Sequence, residues 1–197
     1  GHLGFRMDQV DLPENTLEAL LPSVKESAIA HGDIPLIVAG GIYTHEDIKR
    51  FLALGADGVQ MGTRFLATEE SSATALYKQA VLDATEDDIL VADDPGSPCG
   101  LPFRVLKKSP MYLSALARSR KPKCDKGYVL LKDEKGNYTR CLAKESNFHH
   151  FCICNGLLSS AGYNPDKEEP IYTVGSTAWR VDRILSVKTL MKELSGT

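Results

Sequence analysis

The chain has 197 residues, of which 43% are hydrophobic and 25% charged, the composition of an ordinary globular protein with one large or two small domains. Its net charge of −3 gives no electrostatic basis for binding nucleic acid, and no apolar run approaches the length of a membrane span. Five cysteines, an odd number, and an N-terminus without a signal-like apolar core argue against a secreted disulfide framework, so we expect a cytoplasmic protein.

The N-terminal segment is predicted to be a loop followed by a helix. Residues 1–12 show neither helical nor strand periodicity, and glycines stand on either side of His2. Asn15 and Glu18 then have the spacing of a capping box, and Pro22 falls in the first two turns, where its missing N–H costs least. The apolar face of this predicted helix consists of Leu17, Leu20, Leu21, Val24 and Ala28.

A strand and a second helix are predicted next. Residues 34–39 form a short apolar run without alternation, which is typical of a strand buried on both faces of a parallel sheet, and the run ends at Gly40-Gly41. Thr44 and Asp47 have capping-box spacing at the start of the helix, which Gly55 ends. Its apolar face consists of Ile48, Phe51 and Leu52.

Residues 57–61 are predicted to form a second strand that ends at Gly62-Thr63, which makes the segment a βαβ unit with glycine at the end of both strands. Glycine lets the backbone approach a ligand closely, and amide groups at strand ends and helix N-termini can bind anions. In an eight-stranded βα barrel, the loops after the last two strands often form the phosphate site. The pair of glycine-bearing strand ends therefore favours a phosphate bound between them, although each pair alone could be only a turn.

The rest of the chain continues to alternate helices and strands. A long helix is predicted over residues 68–84, a short strand over residues 89–92, and, after a Pro/Gly-rich crossing, a short helix from Met111. Residues 171–175 are another strand candidate that ends in glycine. A C-terminal amphipathic helix is predicted from the spacing of Val187, Leu190, Met191 and Leu194.

Residues 121–165 differ in character and are predicted to form an insertion or subdomain with a hairpin that turns at residues 135–137. The four cysteines of this region are Cys124, Cys141, Cys152 and Cys154. Four thiolates, with His149 or His150 as a substitute ligand, could hold zinc or an iron–sulfur cluster. Because the spacing lacks paired CxxC motifs, the alternative is that these cysteines are reduced and simply pack in the interior.

The number of strand units limits the fold. A complete (β/α)8 barrel usually needs about 250 residues, and three strand units are found here, counting a possible one before Gly1. We therefore predict an α/β fold that is the C-terminal portion of a TIM-type (β/α)8 barrel with a cysteine-containing helical or irregular extension. The predicted divisions are residues 1–110 for the barrel part, 111–170 for the insertion or subdomain, and 171–197 for a strand and helix that pack back on the barrel.

Four stretches carry a resemblance to a known family. They are GHLG at residues 1–4, IPLIVAGGI at 34–42, ALGADGVQMGTRFLAT at 53–68 and GLPFRVLKK at 100–108. With these residues the chain resembles the nitronate monooxygenases, formerly called 2-nitropropane dioxygenases, a family that includes the flavin-dependent enoyl-acyl-carrier-protein reductases. The QMGTRF string is the specific part, since other phosphate-binding barrels share AGGI but usually not this ending.

The resemblance implies a barrel that binds FMN. It places the FMN phosphate on Gly40, Gly41, Gln60, Met61, Gly62 and Thr63, with Gly4 and Ala39 as further cofactor contacts. In the family, a histidine in a Gly-His-x-Gly loop takes a proton from the carbon next to the nitro group, and the matching residue here is His2. An imidazole suits this role because its ordinary pKa of about 6.5 leaves it mostly neutral and basic at pH 7.

The activity implied by the resemblance is the oxidation of a nitronate, in which FMN takes the electrons and O2 reoxidises the flavin. The expected partners are a small-molecule substrate and O2, without nucleic acid or membrane, and an upstream segment or another copy of the chain to complete the barrel. We expect the 197-residue chain alone to have little or no activity, because an open half-barrel exposes strand edges and apolar faces. Two alternatives stay open: an FMN-dependent enoyl-acyl-carrier-protein reductase, and a non-catalytic phosphate- or flavin-binding module.

Overall fold

The structure, a computed structural model, describes residues 1–119, 134–135, 141, 149–163, 166 and 168–196. The α-helices in these residues are α1 (Leu17–Ala30), α2 (His45–Ala53), α3 (Thr63–Leu66), α4 (Ala75–Leu82), α5 (Pro110–Leu116), α6 (Ile153–Ser160) and α7 (Val187–Ser195). The strands are β1 (Ile37–Ala39), β2 (Gly58–Gln60), β3 (Ile89–Ala92) and β4 (Phe103–Leu106). Short 3-10 helices occur at Met7–Gln9, Pro13–Asn15, Glu86–Asp88 and Ala178–Arg180.

The predicted βαβ unit is present as β1, α2 and β2. The two strands pair in parallel, with Ile37 opposite Gly58 and Ala39 opposite Gln60. The predicted capping box at the start of α2 is confirmed, because the Thr44 hydroxyl accepts from the Asp47 amide while the Asp47 carboxylate accepts from the Thr44 amide. The unit therefore holds the two glycine-bearing strand ends side by side.

The prediction that the first strand is buried on both faces was wrong. Within β1 only Val38 is buried, whereas Ile37 is 55% exposed. Val38 faces a hydrophobic cluster that includes Leu21 of α1 and Phe51 of α2. Both helices lie on one face of the strand pair, and no element in the described part of the chain covers the other face to the same extent, so the strand alternates between buried and exposed residues.

The start of α1 also differs from the prediction. The helix is capped by Thr16, whose hydroxyl accepts from the Ala19 amide, and not by Asn15. Asn15 belongs to the 3-10 helix Pro13–Asn15, and its side-chain amide donates to the carbonyl of Gln9. Because that turn directs the Asn15 side chain back along the chain, the next residue takes the capping position.

A second, antiparallel sheet is formed by β3 and β4, with Ala92 opposite Phe103. The strand at residues 89–92 was predicted correctly, whereas β4 was missed because it lies within the Pro/Gly-rich crossing. The predicted strand at residues 171–175 is not a regular strand; it contacts β4 through a single bridge between Thr173 and Val105. Residues 1–3 lie along the same strand, since the Arg104 amide donates to the Gly1 carbonyl.

The two later helices of the prediction are present with changed limits. The stretch predicted as a helix from residue 68 becomes helical only at Ala75, where the Thr74 hydroxyl caps α4 by accepting from Tyr77. The C-terminal helix α7 buries Leu190 and Leu194 as predicted, but Met191 is exposed. In the same way Leu52 of α2 is 43% exposed, so the apolar faces of these helices are narrower than their spacing suggested.

The cysteine region is described only in part. Cys124 lies outside the described residues, and so does the predicted hairpin turn at residues 135–137 except for Lys135. No cluster of three or more potential metal ligands occurs among the described residues. Cys152 packs in a hydrophobic cluster with Phe151 and Met111. No helix in the described part of the chain combines the length and apolar character needed to cross a membrane.

Candidate functional site

The glycine-bearing ends of β1 and β2 open into one cleft of about 310 Å³, which we call the glycine cleft. Its walls are Gly1, the loops 40–42 and 60–64, Leu66, and residues 173–175 with Thr177. The volume falls within the range of about 300–1,000 Å³ that is usual for small-molecule sites. Six of the eight predicted cofactor contacts therefore lie in the wall of a single cleft: Gly40, Gly41, Gln60, Met61, Gly62 and Thr63.

The backbone conformation explains why glycine occupies the first loop. Gly40 has a φ of +121° and Gly41 a φ of +66°, both in the region that residues with a side chain rarely adopt. A Cβ atom at Gly41 would also lie 3.5 Å from the Ser176 hydroxyl. Glycine therefore leaves this wall of the cleft as bare main chain, which an anionic group can approach closely.

The third wall of the cleft comes from residues 173–177, which were not predicted as site residues. The Gly175 amide donates a hydrogen bond of 2.8 Å to the Thr63 hydroxyl, which joins this segment to the start of α3. A Cβ atom at Gly175 would come within 3.2 Å of the same hydroxyl. The sequence did contain a signal for this wall. Gly175 ends the apolar segment 171–175, just as glycines follow β1 and β2.

Arg64 also lines the glycine cleft, but its guanidinium is bound by Glu193 and Tyr43, which do not line that cleft. Its side chain is only 11% exposed and pairs with the Glu193 carboxylate at 2.7 Å. The bare main chain at Gly40 and Gly41 and the hydroxyls of Thr63 and Thr177 in the walls form a site suited to a phosphate. On these observations the residues present fit the phosphate end of a flavin nucleotide.

His2, the predicted catalytic base, lies beside Ser97 and not in the wall of the glycine cleft. Its Nε2 atom is 2.8 Å from the Ser97 hydroxyl, and its ring meets the Phe103 ring edge-on, with 4.8 Å between centroids. The neighbouring residue, Gly1, does line the cleft. The imidazole is therefore held one residue from the cleft by a side chain that is itself buried.

The surroundings of His2 favour its neutral form. Partial burial is the main cause that lowers its pKa below the ordinary 6.5. At neutral pH the ring is thus available to accept a proton. The Ser97 hydroxyl lies 2.9 Å from the Cys99 sulfur, so His2, Ser97 and Cys99 form one chain of polar contacts.

Two predicted contacts are not in the wall of the glycine cleft. Gly4 is exposed, and a Cβ atom placed there would have no neighbour within 4 Å. Ala39 is exposed at the end of β1, immediately before the first glycine loop. Ser97 was missed as a neighbour of His2, because the two residues are 95 positions apart. The cofactor roles of the predicted residues remain predictions.

The sequence of the chain matches a known protein family. The family model described as nitronate monooxygenase matches residues 1–196. A probable nitronate monooxygenase of Staphylococcus haemolyticus is 47% identical over 75 residues, which are 38% of this chain and 20% of the relative. Another, of Bacillus subtilis, is 38% identical over 88 residues, which are 45% of this chain and 24% of the relative.

Two solved structures share the fold over nearly all of the chain. FabK from Thermotoga maritima matches 92% of this chain with a TM-score of 0.61 and 28% identity, and the match covers 48% of FabK. Nitroalkane oxidase from Streptomyces ansochromogenes matches 100% of this chain with a TM-score of 0.58 and 26% identity, again over 48% of that protein. The chain thus spans just under half the length of these structures, as the prediction of a partial barrel requires. The match of the family model over residues 1–196 shows that the chain belongs to the nitronate monooxygenase family, a family of oxidoreductases.

Proposed function

We propose that this chain forms the cofactor-phosphate and catalytic-base part of an FMN-dependent oxidoreductase that oxidises nitronates with O2. The observation that carries the proposal is that the loops 40–41 and 62–63 share one cleft, with Gly1 in its wall and His2 next in sequence. Membership of the nitronate monooxygenase family supports the same activity.

In the proposal, the glycine cleft holds the FMN phosphate. The main chain of Gly40 and Gly41 approaches the anion without hindrance, and the donors of residues 62–63 and 175–177 complete the cradle. Bound FMN supplies the redox chemistry, accepting the electrons of the substrate. The protein contributes the position of the cofactor and a base beside it.

His2 is the proposed base. It takes the proton from the carbon next to the nitro group of a nitroalkane and so forms the nitronate that is then oxidised; this requires the neutral ring, which its lowered pKa favours. Ser97 restrains the ring through the contact to Nε2, and the edge-on Phe103 ring limits its rotation. These two contacts orient the imidazole before the substrate binds.

The likeness to FabK supports one alternative, a flavin-dependent enoyl reductase with the same loops. The two activities differ in the electron donor. In a protein that contains the complete barrel, anaerobic reduction of bound flavin by a nitronate supports the proposed activity, whereas reduction by NADPH alone supports the reductase. Tight FMN binding with neither reaction would favour the non-catalytic module.

The proposed cofactor site can be tested with a matched pair of glycine substitutions. Gly41→Ala and Gly55→Ala both place a side chain at a positive φ, but only Gly41 lines the glycine cleft. We expect Gly41→Ala to weaken FMN binding by about tenfold or more, because a methyl group narrows the bare main-chain wall, while Gly55→Ala affects stability alone. FMN affinity is measured by quenching of flavin fluorescence, and folding by circular dichroism.

The proposal fails if the folded chain binds no FMN or if both variants weaken FMN binding to the same extent. We expect the 197-residue chain by itself to turn over nitronates slowly or not at all, because β1 leaves Ile37 exposed on its second face and the chain spans just under half of the solved structures. Binding, not turnover, is therefore the decisive readout for this chain.

A further inference from the structure

A second and larger cleft, of about 520 Å³, lies where α7 and the segment before it pack against the start of α2 and α3. Its walls include three arginines, two aromatic rings and a carboxylate: Tyr43, Arg64, Trp179, Arg180, Arg183 and Glu193. We call it the arginine cleft. Arg64 lies in the walls of both clefts, but the other five residues do not line the glycine cleft.

The charges in the arginine cleft are unequal. Its walls carry three guanidinium groups and two carboxylates, those of Asp182 and Glu193. Glu193 is shared, since it accepts from Arg64 at 2.7 Å and from Arg183 at 2.9 Å. Asp182 lies 3.9 Å from Arg183, so the two carboxylates serve Arg64 and Arg183 and the walls keep an excess of one positive charge.

Arg180 is the least compensated of the three arginines among the described contacts. Its guanidinium is 3.8 Å from the Asp47 carboxylate, at the edge of ion-pair distance. That carboxylate oxygen already accepts from the amides of Tyr43 and Thr44, at 3.0 and 2.9 Å. Arg180 therefore keeps most of its capacity to donate to an added anion.

The Arg180 guanidinium also contacts the same aromatic ring as Arg64. Arg64 and Arg180 are each 4.3 Å from the centre of the Tyr43 ring, which draws two positive charges to one aromatic side chain. The ring attracts each cation and so holds both guanidinium groups at the wall of the cleft. A bound phosphate would gain hydrogen bonds from planar guanidinium groups, whose geometry matches that of its oxygens.

The wall that contains Trp179 favours a ligand that carries an apolar ring as well as a phosphate. Trp179 is 43% exposed on the cleft, beside the apolar residues Val181 and Leu185. An exposed indole is a flat apolar surface on which a planar ring can stack. The volume of the cleft is also far larger than an inorganic phosphate requires.

We propose that the arginine cleft binds a small organic phosphate with a planar ring, of the nucleoside monophosphate class, with the phosphate on Arg180 and Arg183 and the ring against Trp179. The site is separate from the proposed FMN site, and its existence does not depend on the oxidoreductase activity. Nothing in the proposal requires the ligand to react.

Trp179 is the only tryptophan of the chain, so its fluorescence reports on this cleft alone. AMP is titrated into the full 197-residue chain in the absence of FMN, with excitation at the red edge of the indole band. We expect saturable quenching by AMP, competition by inorganic phosphate, and weaker binding of adenosine, which lacks the anion. Equal affinity for adenosine and AMP, or a failure of phosphate to compete, would overturn the proposal.

Two substitutions in the arginine cleft should change the affinity for AMP in opposite directions. Arg180→Gln should weaken AMP binding by about tenfold, because a charged hydrogen bond is lost, whereas Glu193→Gln should strengthen it, because two guanidinium groups lose their competing carboxylate. Arg6→Gln, at an exposed arginine paired with Asp8 outside both clefts, serves as the matched control and should change nothing. Weaker binding by Glu193→Gln, or equal losses in Arg180→Gln and Arg6→Gln, would contradict the proposal.

Discussion

The two clefts are built from different parts of the chain. The glycine cleft is made mainly of main chain, and the parallel register of β1 and β2 alone is enough to place its first two loops side by side. The arginine cleft is made of long side chains, and it exists only because α7 packs against α2 and α3. A site formed by main-chain atoms therefore follows from local sequence and strand pairing. A site formed by side chains depends instead on contacts between distant segments.

The largest expected effect is on the reaction rate and leaves ligand binding in both clefts unchanged. In a protein that contains the complete barrel, His2→Ala should lower the rate of nitroalkane oxidation by about 10²–10⁴-fold, since the proposed base that removes the proton from the nitroalkane carbon is lost. FMN affinity and AMP quenching of Trp179 should not change, because His2 lines neither cleft. The measurement is the steady-state rate with a nitroalkane as substrate.

His31→Ala is the control for this experiment, because His31 is exposed at the end of α1 and contacts only the Ser27 carbonyl among the described side-chain hydrogen bonds. The pH profile gives a further readout. Because the pKa of His2 is lowered, the base stays neutral until the pH falls below its ordinary 6.5, and activity should be lost only on that acid side. A rate unchanged by His2→Ala would remove His2 from the proposed reaction.

The second prediction concerns the helix that supports both clefts. Phe51 of α2 is 2% exposed and packs in the cluster beneath β1, while its neighbour Leu52 is 43% exposed. Phe51→Ala should lower the free energy of unfolding by about 3–5 kcal/mol, because it leaves a cavity in that cluster, whereas Leu52→Ala should change it by about 0.5 kcal/mol or less. Chemical denaturation measures both.

If Phe51→Ala unfolds the chain outright, both ligands should be lost together. Retention of AMP quenching by a Phe51→Ala variant that no longer binds FMN would show that the arginine cleft is supported independently of α2, contrary to our expectation.

The smallest expected effect is electrostatic and confined to the arginine cleft. Hydrogen bonds from Arg183 and Arg64 lower the pKa of Glu193 below its ordinary 4.5. The ionised Glu193 therefore stabilises the folded state above that value, and this contribution is lost as the pH falls through the lowered pKa. The pair is partly exposed, so the contribution should be at most about 1 kcal/mol and should shrink in high salt.

The measurement is the free energy of unfolding of the unchanged chain and of Glu193→Gln at neutral and acidic pH. The difference between the two proteins should narrow on acidification, because both then carry a neutral side chain at position 193. A difference that stays constant over this range would show that the carboxylate makes no charge-dependent contribution.

Sequence reasoning predicted the glycine cleft for physical reasons that are local. A short apolar run, a capping box at Thr44 and Asp47, and glycine after each strand are all set by neighbouring residues, and the structure contains the corresponding β1, α2 and β2. The same reasoning failed where burial depends on which other elements pack against a segment. Residues 34–39 looked fully buried because periodicity does not reveal whether helices cover one face or two.

The other omissions also result from distance along the chain. Tyr43 and Arg180, in the arginine cleft, are 137 residues apart, and Thr63 and Gly175, in the glycine cleft, are 112 residues apart. No spacing rule connects such pairs. The capping residue of α1 was displaced by one position for a different reason, since the preceding 3-10 turn occupies the Asn15 side chain.

The hydrogen bond from Gly175 to Thr63 has a consequence for the order of events during synthesis. The first two walls of the glycine cleft can form soon after β2 leaves the ribosome, but the third wall must wait until residue 175 has been translated. A nascent chain would therefore present a cleft with one wall missing, and in the proposed function tight binding of FMN would have to follow translation of that wall. Removal of the chain from residue 173 onward would delete this wall but not the residues of β1 and β2.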